Sequence, residues 1–165
     1  CMDLSTATGM RLTDCRTILL PADNTLRLKA GKTGKKADFD LSLSQVLPDL
    51  LARRRAMDVS HLMLLSTGKG FPVFSKDLRR EYDKARKKAA EEARKQAKEA
   101  ADEAAKRRYE AFALEIEAMV LRDMRKRSAD LADSDEGASQ LLQHSSVALT
   151  RRHYRSKATQ LKPVR

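Results

Sequence analysis

Neither glycine nor proline occurs between Val73 and Glu136. Those two residues interrupt regular backbone more than any others, so a stretch this long without them is constrained to be helical. Residues 84–108 consist of Ala, Lys, Arg, Glu, Asp and Gln alone, side chains that lose little freedom in a helix. Pairs such as Glu91 and Lys95, four residues apart, add roughly 0.3 kcal/mol each. A thin apolar stripe runs through Leu78, Tyr82, Ala85, Ala89, Ala93, Ala97, Ala100 and Ala104, and Tyr109, Phe112, Ile116 and Met119 continue it more strongly. The segment reads as a projecting solvated helix or a helical hairpin. Contact with a partner helix and contact with DNA are the alternatives, the first weakened because alanine seams hold coiled coils poorly.

The flanking sequence is of a different kind. Residues 2–16 carry Met2, Leu4, Met10, Leu12 and Cys15 among small and polar residues, a helix with a break near Gly9. Residues 17–43 form a β-hairpin region. Leu26, Leu28 and Ala30 alternate with Thr25, Arg27 and Lys29, and Phe39, Leu41 and Leu43 alternate on the return, the period of two expected of strands with one buried face. Gly31-Lys32-Thr33-Gly34-Lys35-Lys36 makes the basic turn between them. Ser44 is placed to cap a helix through Met57, with Pro48 in its first part. Residues 61–66 are extended, and Ser75 is placed to cap the next helix. Further helices are expected over 122–132, Glu136–Leu142 and Val147–Arg155. The fold class is therefore mainly α with a small antiparallel β-sheet of two or three strands, an α+β chain forming a single domain over 1–165.

The net charge of +11 and pI near 9.9 point to a polyanionic partner, because such a surplus repels itself. Aromatic residues make up only 4% of the chain, so stacking platforms for single strands are scarce and the duplex backbone is the better-suited target. No apolar run approaches the ~18 residues of a membrane span, and the two cysteines, Cys1 and Cys15, make no disulfide framework. Cys15 is expected to be a small buried apolar residue. No clustered acid triad, His/Cys ligand spacing or Walker-type loop is present, so neither metal nor cofactor is called for. A bacterial cytoplasm, in association with the nucleoid, is the expected location.

Chemistry is carried by residues that are individually unremarkable. Two separated arginines, a hairpin lysine, a histidine and a late tyrosine suit attack on a phosphodiester. Arginine forks donate two hydrogen bonds to non-bridging oxygens and stay charged. A tyrosine can be the nucleophile, and a lysine can protonate the leaving oxygen.

Their order resembles the catalytic domain of the tyrosine recombinases, the phage integrase family, nearest to integrases of the lambdoid sort. Thr8-Gly9-Met10-Arg11 with Asp14 resembles the first arginine box. Gly31-Lys32-Thr33-Gly34-Lys35 resembles the lysine hairpin, and Arg122-Asp123-Met124-Arg125 stands where the family has His-x-x-Arg. Leu141 to Ser146 resembles the Leu-Leu-Gly-His-Ser-Ser box, and Thr150 to Arg155 the nucleophile segment. The resemblance implies Tyr154 as nucleophile forming a 3′-phosphotyrosyl bond, Lys32 as the donor to the 5′ oxygen, and Arg11, Arg125 and His144 on the phosphate. It implies double-stranded DNA with attachment-type sites as partner, and strand exchange without ATP or metal. It further implies a homotetramer that exchanges C-terminal tails, with 156–165 the candidate tail. The chain starts abruptly on a helix, and DNA-binding domains are expected to lie before residue 1. The helical insert over 84–118 is longer than the family usually has.

Two positions depart from the pattern. Arg122 replaces the family's histidine and cannot accept the tyrosine proton at neutral pH. His153 adjoins Tyr154 but points to a different helix face. Gln143 replaces a glycine; if its φ is positive, glutamine costs on the order of 1 kcal/mol. These departures keep a degenerate, non-catalytic DNA-binding domain open as an alternative; a topoisomerase of type IB, using similar chemistry without a partner duplex, is another.

Overall fold

The computed structural model describes residues 1–155. The elements follow in the order α1 (Met2–Thr8), α2 (Leu12–Thr17), β1 (Thr25–Lys29), β2 (Lys36–Asp40), a 3-10 turn (Leu41–Leu43), α3 (Leu47–Arg55), α4 (Ser75–Glu99), α5 (Glu103–Ala118), α6 (Asp123–Leu131), α7 (Asp135–Leu141) and α8 (Val147–Tyr154). They divide into two compact units, the first formed by residues 1–72 together with 122–155 and the second by Val73–Leu121. The mainly helical class with a small antiparallel sheet is the one expected.

In the first unit, β1 and β2 pair antiparallel with Thr25 opposite Asp40 and Lys29 opposite Lys36. The alternation works as read on β1: Leu26, Leu28 and Ala30 are buried. It fails at the end of the return. The chain leaves the strand at Asp40, whose carboxylate accepts from Ser42 N at 2.9 Å, and the 3-10 turn that this starts throws Leu43 out to 85% exposure. The sheet has two strands, and residues 61–66 contribute only isolated bridges, Leu19 with Met63 and Ser66 with Pro72. Ser44 does serve the start of α3, its hydroxyl accepting from Val46 N and Leu47 N, although the helix ends at Arg55, short of Met57. Ser75 is the first residue of α4, not its cap; Phe74 holds the cap position and makes no side-chain cap hydrogen bond.

Leu4, Met10, Cys15, Leu26, Leu28, Leu41, Leu47, Leu51 and Leu64 form the main core. Burial pushes the Cys15 thiol up to about 12, so it behaves as the apolar filler expected. Ala129, Ala138 and Leu142 form a second, smaller core where α6, α7 and α8 meet, and Tyr154 packs against it.

Gly9 joins the two halves of the broken N-terminal helix. It sits at φ 64° and closes α1 by donating to Ser5 O. A Cβ there would meet Leu142 Cδ2 at 2.9 Å and Leu141 O at 3.2 Å. Gly9→Ala is therefore expected to cost roughly 2–3 kcal/mol, combining overpacking with left-handed strain; equilibrium urea unfolding measures it.

In the second unit, α4 and α5 form an antiparallel hairpin joined through Ala100–Asp102, where Asp102 caps α5 by accepting from Ala105 N at 2.7 Å. The seam is shifted from the one expected. Ala85 and Ala89 are exposed, while Tyr82, Ala90, Ala93 and Ala97 are buried. On α5 the buried position is Ala113, backed by Ile116; Tyr109 and Phe112 lie outside it. The reason is geometric. Small residues at Ala90, Ala93 and Ala113 let two backbones approach closely, and aromatic side chains at the seam would hold them apart. Arg94–Glu117 at 2.7 Å and Arg86 to the carbonyls of Glu117 and Met119 tie the open end.

Candidate active site

The first unit brings four of the singled-out residues together: Arg11, Arg125, His144 and Tyr154. Each is delivered by a helix end, where side chains leave the regular lattice.

Arg11 stands just before α2 in extended backbone. Asp14, one turn on, is buried and bridges two elements. Its Oδ2 lies 3.9 Å from Arg11 Nη1, and its Oδ1 accepts from Gly31 N at 3.1 Å. The acid thus steadies the arginine and fixes the base of the lysine turn. That turn is closed by Gly34 N on Ala30 O and Ala30 N on Lys35 O. Lys35, not Lys32, reaches inward: its Nζ donates to His144 O at 2.6 Å. Lys32 is exposed at the tip.

Arg125 is buried in α6. It donates to Gly9 O and, at 3.1 Å, to Leu142 O, so one guanidinium fastens the α1–α2 corner to the end of α7. Its Nη2 also faces His144 Nε2 at 3.4 Å. Burial first, and Arg11 second, push this guanidinium below its ordinary range, while Tyr154 and Asp14 pull it back.

His144 follows Gln143, whose φ of 56° is the one positive value on a non-glycine among the described residues. The glycine of the resembling box is thus replaced at a position that does use left-handed backbone, at about 1 kcal/mol. The Gln143 Nε2 is buried without a partner. The turn aims the His144 ring inward, 8% exposed. Because a guanidinium only donates, Nε2 must be the acceptor toward Arg125, so Nδ1 carries the proton and donates to Thr150 Oγ1 at 2.8 Å. Burial, then the charges of Arg125, Arg11, Lys35 and Lys32, lower its pKa to about 4. The imidazole is neutral across the physiological range.

That depression has a consequence for stability. An unfolded histidine titrates near 6.5. Between pH 6.5 and about 4 the unfolded chain takes up a proton that folded His144 refuses. Stability should therefore fall as pH drops through that window and be indifferent to this group above it. Urea titrations at stepped pH test this, and His144→Gln should flatten the slope.

Tyr154 ends α8. Its ring lies 4.6 Å from the His144 ring at 55°, and Arg125 Cζ is 5.6 Å from its centroid. The next residue anchors the helix end: Arg155 donates to Ala129 O at 2.6 Å and Ala132 O at 2.9 Å and pairs with Asp135 at 3.0 Å. Asp135 also pairs with Arg151 at 2.7 Å.

Arg122 is exposed at the cap position of α6; its carbonyl accepts from Arg125 N at 3.1 Å, while its side chain takes no part in the hydrogen-bonded cluster. His153 is likewise exposed. Sequence reasoning missed the inward lysine, Thr150 as the histidine's partner, and the Arg155–Asp135 anchor. The motifs contained Lys35, Thr150 and Arg155, but nothing local distinguishes an inward side chain from a solvated one. Among the described residues no group of three or more His, Cys, Asp or Glu could hold a metal. No helix there is long and apolar enough to cross a membrane.

No family model matches the sequence, and no curated protein does. Solved structures do match. A lambda integrase(75-356) dimer bound to a COC′ core site aligns with TM-score 0.61 and 16% identity, over 99% of this chain and 54% of that one. A lambda integrase dimer bound to a COC′ core site gives 0.59 and 17%, covering 99% and 43%. A lambda integrase tetramer bound to a Holliday junction gives 0.59 and 16%, covering 99% and 44%. The chain spans about half the length of these integrases, and the likeness establishes the fold: that of lambda integrase, as the recombinase resemblance led one to expect.

Proposed function

We propose that this chain cuts and rejoins DNA in site-specific recombination, through a covalent bond between Tyr154 and the 3′ phosphate. The observation that carries this reading is the convergence of Arg125, His144 and Tyr154, with Arg125 Nη2 3.4 Å from His144 Nε2 and the two rings 4.6 Å apart. A nucleophile, a neutral imidazole and a buried cation share one wall of a basic chain.

In the proposed reaction the hydroxyl of part-buried Tyr154 releases its proton to solvent water as its oxygen attacks phosphorus, the bond to the 5′ oxygen breaks, and a 3′-phosphotyrosyl bond forms. The leaving 5′ oxygen takes a proton from a hairpin lysine, Lys32 at the exposed tip. Arg11 and Arg125 offer N–H groups to the non-bridging oxygens as negative charge grows there. His144 holds Arg125 through Nε2 and stays neutral, so it adds a polar wall without competing charge. Religation is the reverse attack by a 5′ hydroxyl of a partner strand. One phosphodiester is exchanged for one phosphotyrosine, so bond energy is conserved and ATP is not consumed. The partner is duplex DNA bearing attachment-type sites, held by a homotetramer, in a bacterial host's cytoplasm. The expected tail exchange falls on 156–165, outside the described residues.

A duplex nicked near the scissile phosphate tests this, because the cleaved fragment diffuses away and the covalent complex accumulates. With the attachment region as substrate and no added metal, the protein should yield a DNA adduct that survives denaturing electrophoresis. Salt-sensitive binding without an adduct would favour the degenerate DNA-binding reading, which Arg122 and Gln143 support. Relaxation of supercoils without site preference would favour a topoisomerase.

A further inference from the structure

The outer flank of α5 carries an arrangement that the strand-transfer chemistry does not use. The chain has only three tyrosines, four phenylalanines and no tryptophan, yet Phe112 is 53% exposed and Tyr109 37%. They do not serve the hairpin, whose seam is Ala90, Ala93 and Ala113 with Ile116. Beside Phe112 on the same flank stand Arg108 and Glu115, both exposed. The nearby Lys106 and Arg107 pair with Glu103, whereas neither Arg108 nor Glu115 has an ionic partner among the described residues.

Seven residues separate Arg108 from Glu115, about two helical turns or ~10 Å, with Phe112 between them. From this spacing we infer that the flank is self-complementary: two copies of the chain pair through α5, antiparallel, about a two-fold axis at Phe112. In that arrangement Arg108 of each copy meets Glu115 of the other, twice, and the two Phe112 rings meet at the axis. A parallel pairing would set arginine against arginine and glutamate against glutamate, so charge selects the orientation. Ala105 and Ala111 on the same flank leave room for a second backbone. An isologous contact of this kind closes on itself and gives dimers without open chains. One helix flank buries less than the roughly 1,200 Å² of a stable interface. The pairing is therefore weak in free solution and gains where two copies are held on one scaffold.

Sedimentation velocity of the full chain over a range of concentrations tests this. The wild type should shift from monomer toward dimer as concentration rises. Arg108→Glu and Glu115→Arg should each associate at least roughly tenfold more weakly, the loss of about 1.4 kcal/mol, because each sets like charges in contact twice. An equimolar mixture of those two variants should associate like the wild type, since both pairs are then opposite in sign, and R108E/E115R in one chain should do the same. Both sites are exposed, so circular dichroism should show parental helicity; Phe112→Ser gives an uncharged route to the same loss. A wild type that stays monomeric at every concentration, or a mixture no better than either variant alone, overturns the inference.

Discussion

Tyr154→Phe is expected to eliminate the covalent DNA adduct while leaving the protein folded and able to bind DNA. The change removes one oxygen and keeps the ring that packs on His144, Arg125 and the small α6–α7 core. Its cost in stability should stay within about 1 kcal/mol, the net value of one hydrogen bond. Binding should change by no more than about threefold, since affinity for duplex rests on phosphate contacts from many basic residues. Strand cleavage should fall by on the order of 10⁴ or more, because the substitution removes the proposed attacking oxygen itself. Gel electrophoresis under denaturing conditions reads the adduct, and fluorescence anisotropy on the same duplex reads binding. A persistent adduct would send the search to another nucleophile; loss of binding along with the adduct would reveal a structural role for the hydroxyl.

The second large effect belongs to Arg125, whose loss is expected to damage fold and chemistry together. Arg125→Ala strips a donor from Gly9 O and from Leu142 O, both in the interior. An abandoned buried acceptor costs roughly 1–3 kcal/mol. Two of them, offset in part by relief from burying the charge, suggest a net loss of about 2–4 kcal/mol. Cleavage should drop by about 10³ or more if the guanidinium also stabilises the phosphate. A further readout separates these roles. Arg125 is the charge that most strongly depresses His144 after burial, so the imidazole pKa should rise toward its ordinary value in Arg125→Ala. Arg125→Lys should retain more of that depression, because the charge remains, while cleavage stays about 10²-fold low for want of the fork. Nuclear magnetic resonance titration of His144 in the three proteins makes the comparison, and an unmoved pKa would rule out the assigned electrostatic coupling.

Helix positions and register were readable where periodicity met clear punctuation. Gly9 broke the first helix, Ser44 served the start of α3, and Leu26, Leu28 and Ala30 faced inward as alternation requires. Reading failed where local competition decided the outcome. Asp40 captured Ser42 N and ended a strand whose pattern continued to Leu43. In the long helical stretch a run of alanines offers several equivalent stripes, and sequence gives no reason to prefer Ala90 over Ala89. The preference comes from Ala113 on the returning helix, which no periodicity within α4 contains.

The same division holds at the candidate site. Residue types and their order, from Arg11 through Tyr154, are properties of the chain, as are the positive charge and the helical bias of 84–108. These depend on intrinsic propensity and on chemistry carried by each side chain wherever it sits. What only the tertiary structure decided is which groups face one another: Arg125 spanning Gly9 and Leu142, Lys35 turned to His144 while Lys32 faces solvent, Thr150 fixing the imidazole tautomer, and Arg122 left outside. Arg125 and Gly9 are far apart in the chain, and their contact exists because α1 packs on α6. The His144 pKa near 4 likewise arises from burial and from charges on three separate elements, a field that no single segment of sequence generates alone.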